Sequence, residues 1–282
     1  MRKPQWIAAA IAIALVIVLY ATTTSQIFGN NVKEIKEAVN SQASGITIDS
    51  ILSVAKKNLS PTQEDRLNFL EKSISRGDVH NQKIHVYHQL ARFWADSAKA
   101  FEPYAWYTAE VARLENSEKS LTFAAHLFLE NLKSQESPSI KQWEALQAKD
   151  LFERSLKINP ANDSSKVGLG IVYLYGGIGM PMEGIKKIRE VAEEHPDNLY
   201  AQMTLGHAAV TSGQFDKAAE RFEKVLRLEP NNLEAILSLA DAYEQSGDKA
   251  KAIAWYKKSI PVIQISALKE EVEKRITELE KK

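Results

Sequence analysis

Three of the chain's six histidines, His80, His85 and His88, fall within nine positions. Residues three apart share a helical face, so His85 and His88 could together offer two imidazoles to a metal ion. No His-Glu-x-x-His pattern supplies a paired carboxylate, and solvated or core-edge histidines are the competing reading. Tyr87, Phe93, Trp94, Phe101, Tyr104, Trp106 and Tyr107 crowd into the same stretch. Their helical spacing suits a core between two helices, and it leaves room for some of them to line a ligand pocket. Residues 80–107 therefore carry the sensor-like pattern of the chain, for a small ligand or a metal. Gly176-Gly177-Ile178-Gly179 is followed by Met180-Pro181 rather than by the Gly-Lys-Ser/Thr of a phosphate loop, and reads as an enlarged turn between helices. The absence of cysteine excludes disulfides, thiolate catalysis and Cys-ligated zinc or iron–sulfur clusters. No Gly-x-Ser-x-Gly elbow occurs, and the pairs Glu193-Glu194 and Glu270-Glu271 read as solvent-facing. No catalytic residue, enzyme activity or cofactor is expected.

Lys+Arg and Asp+Glu both number 36 in 282 residues. A formal charge of zero lacks the surplus of cations that neutralising a phosphate backbone needs, so no nucleic-acid partner is expected. With 44% hydrophobic and 26% charged residues, the bulk of the chain has ordinary globular composition.

The N-terminus differs. Residues 7–21 form an uncharged apolar run bracketed by Trp6 and Tyr20 and extended by Thr22, Thr23 and Thr24. As a helix, residues 6–24 would be about 28 Å long, near the hydrocarbon thickness of a bilayer. Arg2 and Lys3 precede the run and the next cation is Lys33, a bias that keeps the first five residues cytoplasmic and sends the rest across the membrane. A cleaved signal peptide is the alternative, although only the weak Ala21-Thr22-Thr23 and Thr23-Thr24-Ser25 stand where an Ala-x-Ala would be wanted. The expected organisation is a cytoplasmic tail (1–5), a transmembrane anchor (6–24) and a linker (25–31), followed by an extracytoplasmic body in a bacterial-type periplasm.

From Asn31 onward the apolar spacing is helical nearly throughout, and hairpin signals for strands are scarce. Pro160, Pro196 and Pro230 recur at intervals of 36 and 34, each opening a Pro-x-Asn. Proline cannot continue the helix before it, and asparagine can cap the helix after it. Asn198-Leu199-Tyr200-Ala201 returns 34 residues later as Asn232-Leu233-Glu234-Ala235. Leu205-Gly206 returns as Leu239-Ala240, Ser212-Gly213 as Ser246-Gly247, and Ala218 and Phe222 as Ala252 and Tyr256. A small Gly206 or Ala240 lets paired helices approach, with Ala218 and Ala252 expected to face it. Gly213 and Gly247 fall where a left-handed residue ends a helix. A period near 34 marks stacked helix-turn-helix units.

In its order of small, aromatic, Gly, Ala and Pro positions, this pattern resembles the tetratricopeptide repeat. The resemblance is clear over residues 163–266, as three copies (163–198, 199–232, 233–266). It extends more weakly over 32–162, with helices expected at 82–97, 103–115, 121–132 and 149–160. The first copy carries about two extra residues in its turn, and the last has Pro261 three residues early, so its second helix is expected to end irregularly. Ser60-Pro61-x-x-Glu64 reads as a helix start. Residues 267–282 read as a capping helix with Leu268, Val272, Ile276 and Leu279 as its apolar stripe, since a solenoid otherwise leaves its last face bare. The expected fold is all-α: a right-handed solenoid of the tetratricopeptide type with an N-terminal transmembrane helix and a C-terminal cap.

The resemblance implies that the first helices of the repeats line a concave groove for a peptide or helix. Carried onto this chain, the lining is Val167, Ile171, Leu174, Tyr175, Tyr200, Met203, His207, Val210, Leu237, Asp241 and Glu244. Family members that clamp an acidic C-terminus place Lys, Arg and Asn there; here Val167, Met203 and Leu237 hold such places, with acids at the far end. The implied function is that of a membrane-tethered scaffold for an apolar or amphipathic segment of an envelope partner, with basic residues near Asp241 and Glu244. A groove filled by the protein's own helices is the competing reading.

Overall fold

The computed structural model describes residues 46–74 and 80–281. The expected anchor over 6–24 lies outside them, and no helix among the described residues is long and apolar enough to cross a membrane. Among the described residues every regular element is helical, in the order α1 (Ile48–Lys56), α2 (Pro61–Ile74), α3 (His80–Arg92), α4 (Phe101–Glu115), α5 (Glu118–Leu132), α6 (Pro138–Ile158), α7 (Asp163–Tyr175), α8 (Pro181–Glu194), α9 (Leu199–Thr211), α10 (Phe215–Leu228), α11 (Leu233–Gln245), α12 (Lys249–Ser259) and α13 (Ser266–Lys281). Helix α3 runs on into a single π turn, Phe93–Ser97. The helices pair as hairpins α3–α4, α5–α6, α7–α8, α9–α10 and α11–α12, each stacked on the next, and α13 packs against α12.

The periodic Pro-x-Asn builds each junction. Helices α6, α8 and α10 each stop two residues before their proline. Asn162, Asn198 and Asn232 then cap α7, α9 and α11, their side-chain oxygens accepting from the backbone N–H of Ser165, Ala201 and Ala235 at 2.8, 3.0 and 2.9 Å. Each of these bonds satisfies one of the orphan donors of a helix start. Pro261 obeys the same rule. Helix α12 ends at Ser259, two residues before it, and is simply three residues shorter than α10. The ending itself is irregular, as expected: Ile260 stays right-handed helical and the N–H groups of Val262 and Ile263 both donate to the Ser259 carbonyl, whereas α6, α8 and α10 each close with one bond from the cap residue to the carbonyl four residues back. At α2, Ser60 and Gln63 form a reciprocal capping box, with Ser60 N–H donating to Gln63 Oε1 at 2.9 Å, so Gln63 rather than Glu64 completes the start.

Close approach within a hairpin rests on small residues. A Cβ on Gly206 would lie 2.5 Å from the Phe222 ring. The Phe222 ring sits directly over the glycine. Gly213 and Gly247 adopt φ of 71° and 88°, as the helix-ending position requires. Phe222, Val225, Ala235 and Leu239 are buried in the core shared by α9, α10 and α11. Val272, Ile276 and Leu279 close the last core against Ala240, Ala252, Tyr256 and Ile263.

Candidate binding groove

Helices α5, α7, α9 and α11, the first members of successive hairpins, touch one another in sequence and form one wall. Two pockets lie along it. One, of about 270 Å³, is lined by Ile171 and Tyr175 of α7, by Tyr200, Met203 and His207 of α9, and by Glu234 of α11. The second, of about 450 Å³, is lined by His126, Leu129 and Glu130 of α5, with Ser164 and Asn198. Tyr200 and Lys133 border both, so the two run together as one groove.

Side chains in the groove are held by their neighbours. The His126 ring stands edge-on to Phe152 at 5.2 Å and tilted against Tyr200 at 5.9 Å. Its Nε2 shares a 2.8 Å hydrogen bond with Ser164 Oγ. Burial lowers the His126 pKa, against the opposing pull of Glu130, which favours the neutral ring at pH 7. Burial, aided by Glu130, also raises the Tyr200 phenol, which keeps its proton. His207 packs edge-on to Phe222 at 5.3 Å and lies 3.2 Å from the Glu234 carboxylate. Amphipathic rings over a buried floor suit an apolar segment that also needs hydrogen bonds.

The expected lining divides. Ile171, Tyr175, Tyr200, Met203 and His207 come together in one pocket. Leu237, Asp241 and Glu244 line another, of about 520 Å³, beside α13. Val167 is fully buried; it shares the register of Met203, but its short branched side chain does not reach the groove surface. Leu174 opens into a different cleft, and Val210 packs on the core of α9–α11. The acids at the far end have partners within the chain. Arg275 of α13 pairs with Glu244 through both carboxylate oxygens and reaches Glu278 at 3.0 Å. Tyr256 donates to Asp241 and to Glu244. The basic group expected beside Glu244 is thus supplied by the capping helix.

His126, Leu129, Glu130 and Lys133 were not anticipated, because the long α6 breaks the 34-residue interval before α7. Counting from the caps recovers the key position. His126, Ile171, His207 and Asp241 each stand nine residues after their cap, Ser117, Asn162, Asn198 and Asn232. The segment 80–107 supplies core instead: Phe93, Trp94 and Tyr107 are buried. His85 and His88 are exposed, beside Gln89 at 2.9 Å and Glu115 at 3.6 Å respectively. Among the described residues, no group of three or more His, Cys, Asp or Glu is arranged to hold a metal. The Gly-rich run is the α7–α8 turn, with Gly177 and Gly179 at positive φ.

Stacked helical hairpins, with Asn capping the first helices α7, α9 and α11 and the Phe222 ring set against Gly206, define a helical-repeat protein. The tetratricopeptide repeat family model matches residues 203–264, so that stretch carries tetratricopeptide repeats. The chain is 33% identical over 87 residues to anaphase-promoting complex subunit 7 of Arabidopsis thaliana, which covers 30% of this chain and 15% of that one. It is 32% identical over 74 residues to cellulose synthase operon protein C of Escherichia coli K12, covering 26% of this chain and 6% of that one. The chain thus spans under a sixth of either relative. Among solved structures, that of PilW, described as a widely conserved type IV pilus biogenesis factor, is similar with a TM-score of 0.51 at 18% identity. It covers 70% of this chain and 85% of PilW, a likeness of fold.

Proposed function

We propose that the protein is a non-catalytic scaffold, tethered to a membrane through residues 6–24, that holds an apolar or amphipathic segment of another envelope protein in the groove along α5, α7 and α9. The observation that carries this reading is the continuous groove in which Tyr200 joins the His126 pocket to the Ile171–Met203 pocket. The unbroken apolar run and the preceding Arg2 and Lys3 support a cytoplasmic N-terminus with the repeats on the extracytoplasmic, periplasmic side. A tether of this kind raises the concentration of the groove for partners in the same membrane.

The test is cross-linking and recovery of partners from the native membrane, with Tyr200→Lys and His207→Lys as variants, both of residues that line the groove. Met203 is spared because at 9% exposure a lysine there would be buried. Recovery should fall in both variants while helical content and melting temperature stay near wild type. Unchanged recovery from folded variants refutes the groove. Topology has a separate check: a reporter active only outside the cytoplasm, fused after Lys282, should be active.

A further inference from the structure

A larger opening lies elsewhere, in the cleft of about 710 Å³ where α7–α8 stacks on α9–α10. Its apolar surface comes from residues such as Met182, Ile185 and Leu205, and its cations are Arg189, Lys217 and Arg221. The α7–α8 turn spans residues 176–180, two more than the α9–α10 turn at 212–214. Met182 in the lining is 69% exposed, and Met180, the last residue of the longer turn, is 67% exposed. Exposed methionines beside an apolar cleft mark a surface that adapts to a docked side chain, because the thioether is flexible and polarisable.

The electrostatics select the occupant. No carboxylate among the described residues pairs with Arg189, Lys217 or Arg221, whereas Lys186 on the same α8 pairs with Glu190. Lys217 donates only to Gln214 Oε1, at 2.7 Å. Arg221 donates through Nη1 to Gln202 Oε1, at 2.9 Å, which leaves its remaining N–H groups for another acceptor. Glu220 is the acid in the lining, so the cleft is net cationic by two. A free phosphate would satisfy the cations and leave the apolar surface bare. A flat anionic membrane would reach the rim but not a recess between stacked hairpins.

We propose that this cleft, which meets the groove at Tyr175, is a second docking site, for an acidic amphipathic protein segment that sets large apolar side chains between carboxylates. The apolar side chains enter beside Ile185 and Leu205, and the carboxylates pair with Arg189, Lys217 and Arg221.

The test uses the full chain and fluorescein-labelled peptides that interleave leucine with glutamate or, as control, with lysine. The glutamate peptide should bind saturably, weaken with added salt, and lose about tenfold in affinity when Arg189→Glu and Lys217→Glu are combined. Both side chains are exposed, and the milder Arg189→Gln/Lys217→Gln pair should weaken binding in the same direction. Tyr200→Lys in the groove should leave this affinity unchanged, which separates the cleft from the groove. The proposal is overturned by an absence of saturable binding, by equal binding of the lysine peptide, by affinity that survives both charge variants, or by equal loss on Tyr200→Lys. It is also overturned if phosphatidylglycerol vesicles, and not the peptide, bind in a manner that needs Arg189 and Lys217; that result assigns the cleft to a membrane surface.

Discussion

Glu144 offers a direct test of how the fold balances charge. It lies on α6 and is fully buried. Asn131 Nδ2 donates to its Oε1 at 2.7 Å, while Oε2 is buried without a partner. Burial raises its pKa from the usual 4.5 to about 7, opposed by the Asn131 hydrogen bond, with repulsion from Glu102 adding to the rise. The folded state therefore holds this proton more tightly than the unfolded chain. The contribution of Glu144 to stability is fullest below pH 4.5, falls as pH rises toward 7, and levels off above it. At 1.36 kcal/mol per pKa unit, the interval from 4.5 to about 7 amounts to about 3 kcal/mol. Glu144→Gln keeps the shape and the acceptor for Asn131 but cannot ionise. The variant should match wild type near pH 4 and exceed its stability by up to about 3 kcal/mol at pH 8. Urea unfolding followed by tryptophan fluorescence measures this, since the adjacent Trp143 packs edge-on to Phe128 at 5.6 Å and reports on the α5–α6 hairpin. Wild-type and variant curves that run parallel from pH 4 to 8 would refute an ionisation cost at Glu144.

Two further predictions concern the repeat itself. Gly206→Ala drives a methyl group into the Phe222 ring, 2.5 Å away; thermal or urea unfolding should show a loss of about 1–3 kcal/mol, partly recovered by adding Phe222→Leu. Asn198→Ala removes the α9 cap and a 3.2 Å bond to Asp163 of the preceding repeat, and should destabilise by about 1 kcal/mol or somewhat more; an effect no larger than an exposed Asn→Ala elsewhere would deny the cap its role.

The repeats were legible because their signals are local. A proline two residues past a helix, an asparagine oxygen over the next turn, and a left-handed glycine each act within a few residues. Spacing alone therefore exposes them over 163–266. Upstream, Ser117 caps α5 through Ser120 N–H at 3.1 Å with no Pro-x-Asn before it. Helix α6 runs 21 residues, where α8 and α10 each run 14. A fixed interval cannot register against an element of another length, although the hairpin itself is intact. What the sequence concealed are contacts between distant residues of opposite charge or matching shape, such as Arg275 on Glu244 and Asn131 on Glu144. No periodic rule places a residue of α13 beside one of α11.

The helix caps connect the legible part to the rest. A helix fixes direction by residue number, about 100° per residue, so once the cap sets the first residue, every later position has an assigned face. Position nine after the cap carries His126, Ile171, His207 and Asp241 in turn, and all four line the pockets described above. The chemistry along that row changes from imidazole to alkyl to imidazole to carboxylate, and the final carboxylate already receives the Tyr256 hydroxyl. The open part of the groove is therefore its α5–α9 stretch, where the His126 and His207 rings flank a floor that includes the buried Ile171. An incoming segment that is apolar at those three steps meets two imidazole rings and an aliphatic side chain along the row, while Glu130, Lys133 and Glu234 stand at its edges to select orientation. Capping positions set the register of the site, and the side chains placed on that register set what it can hold.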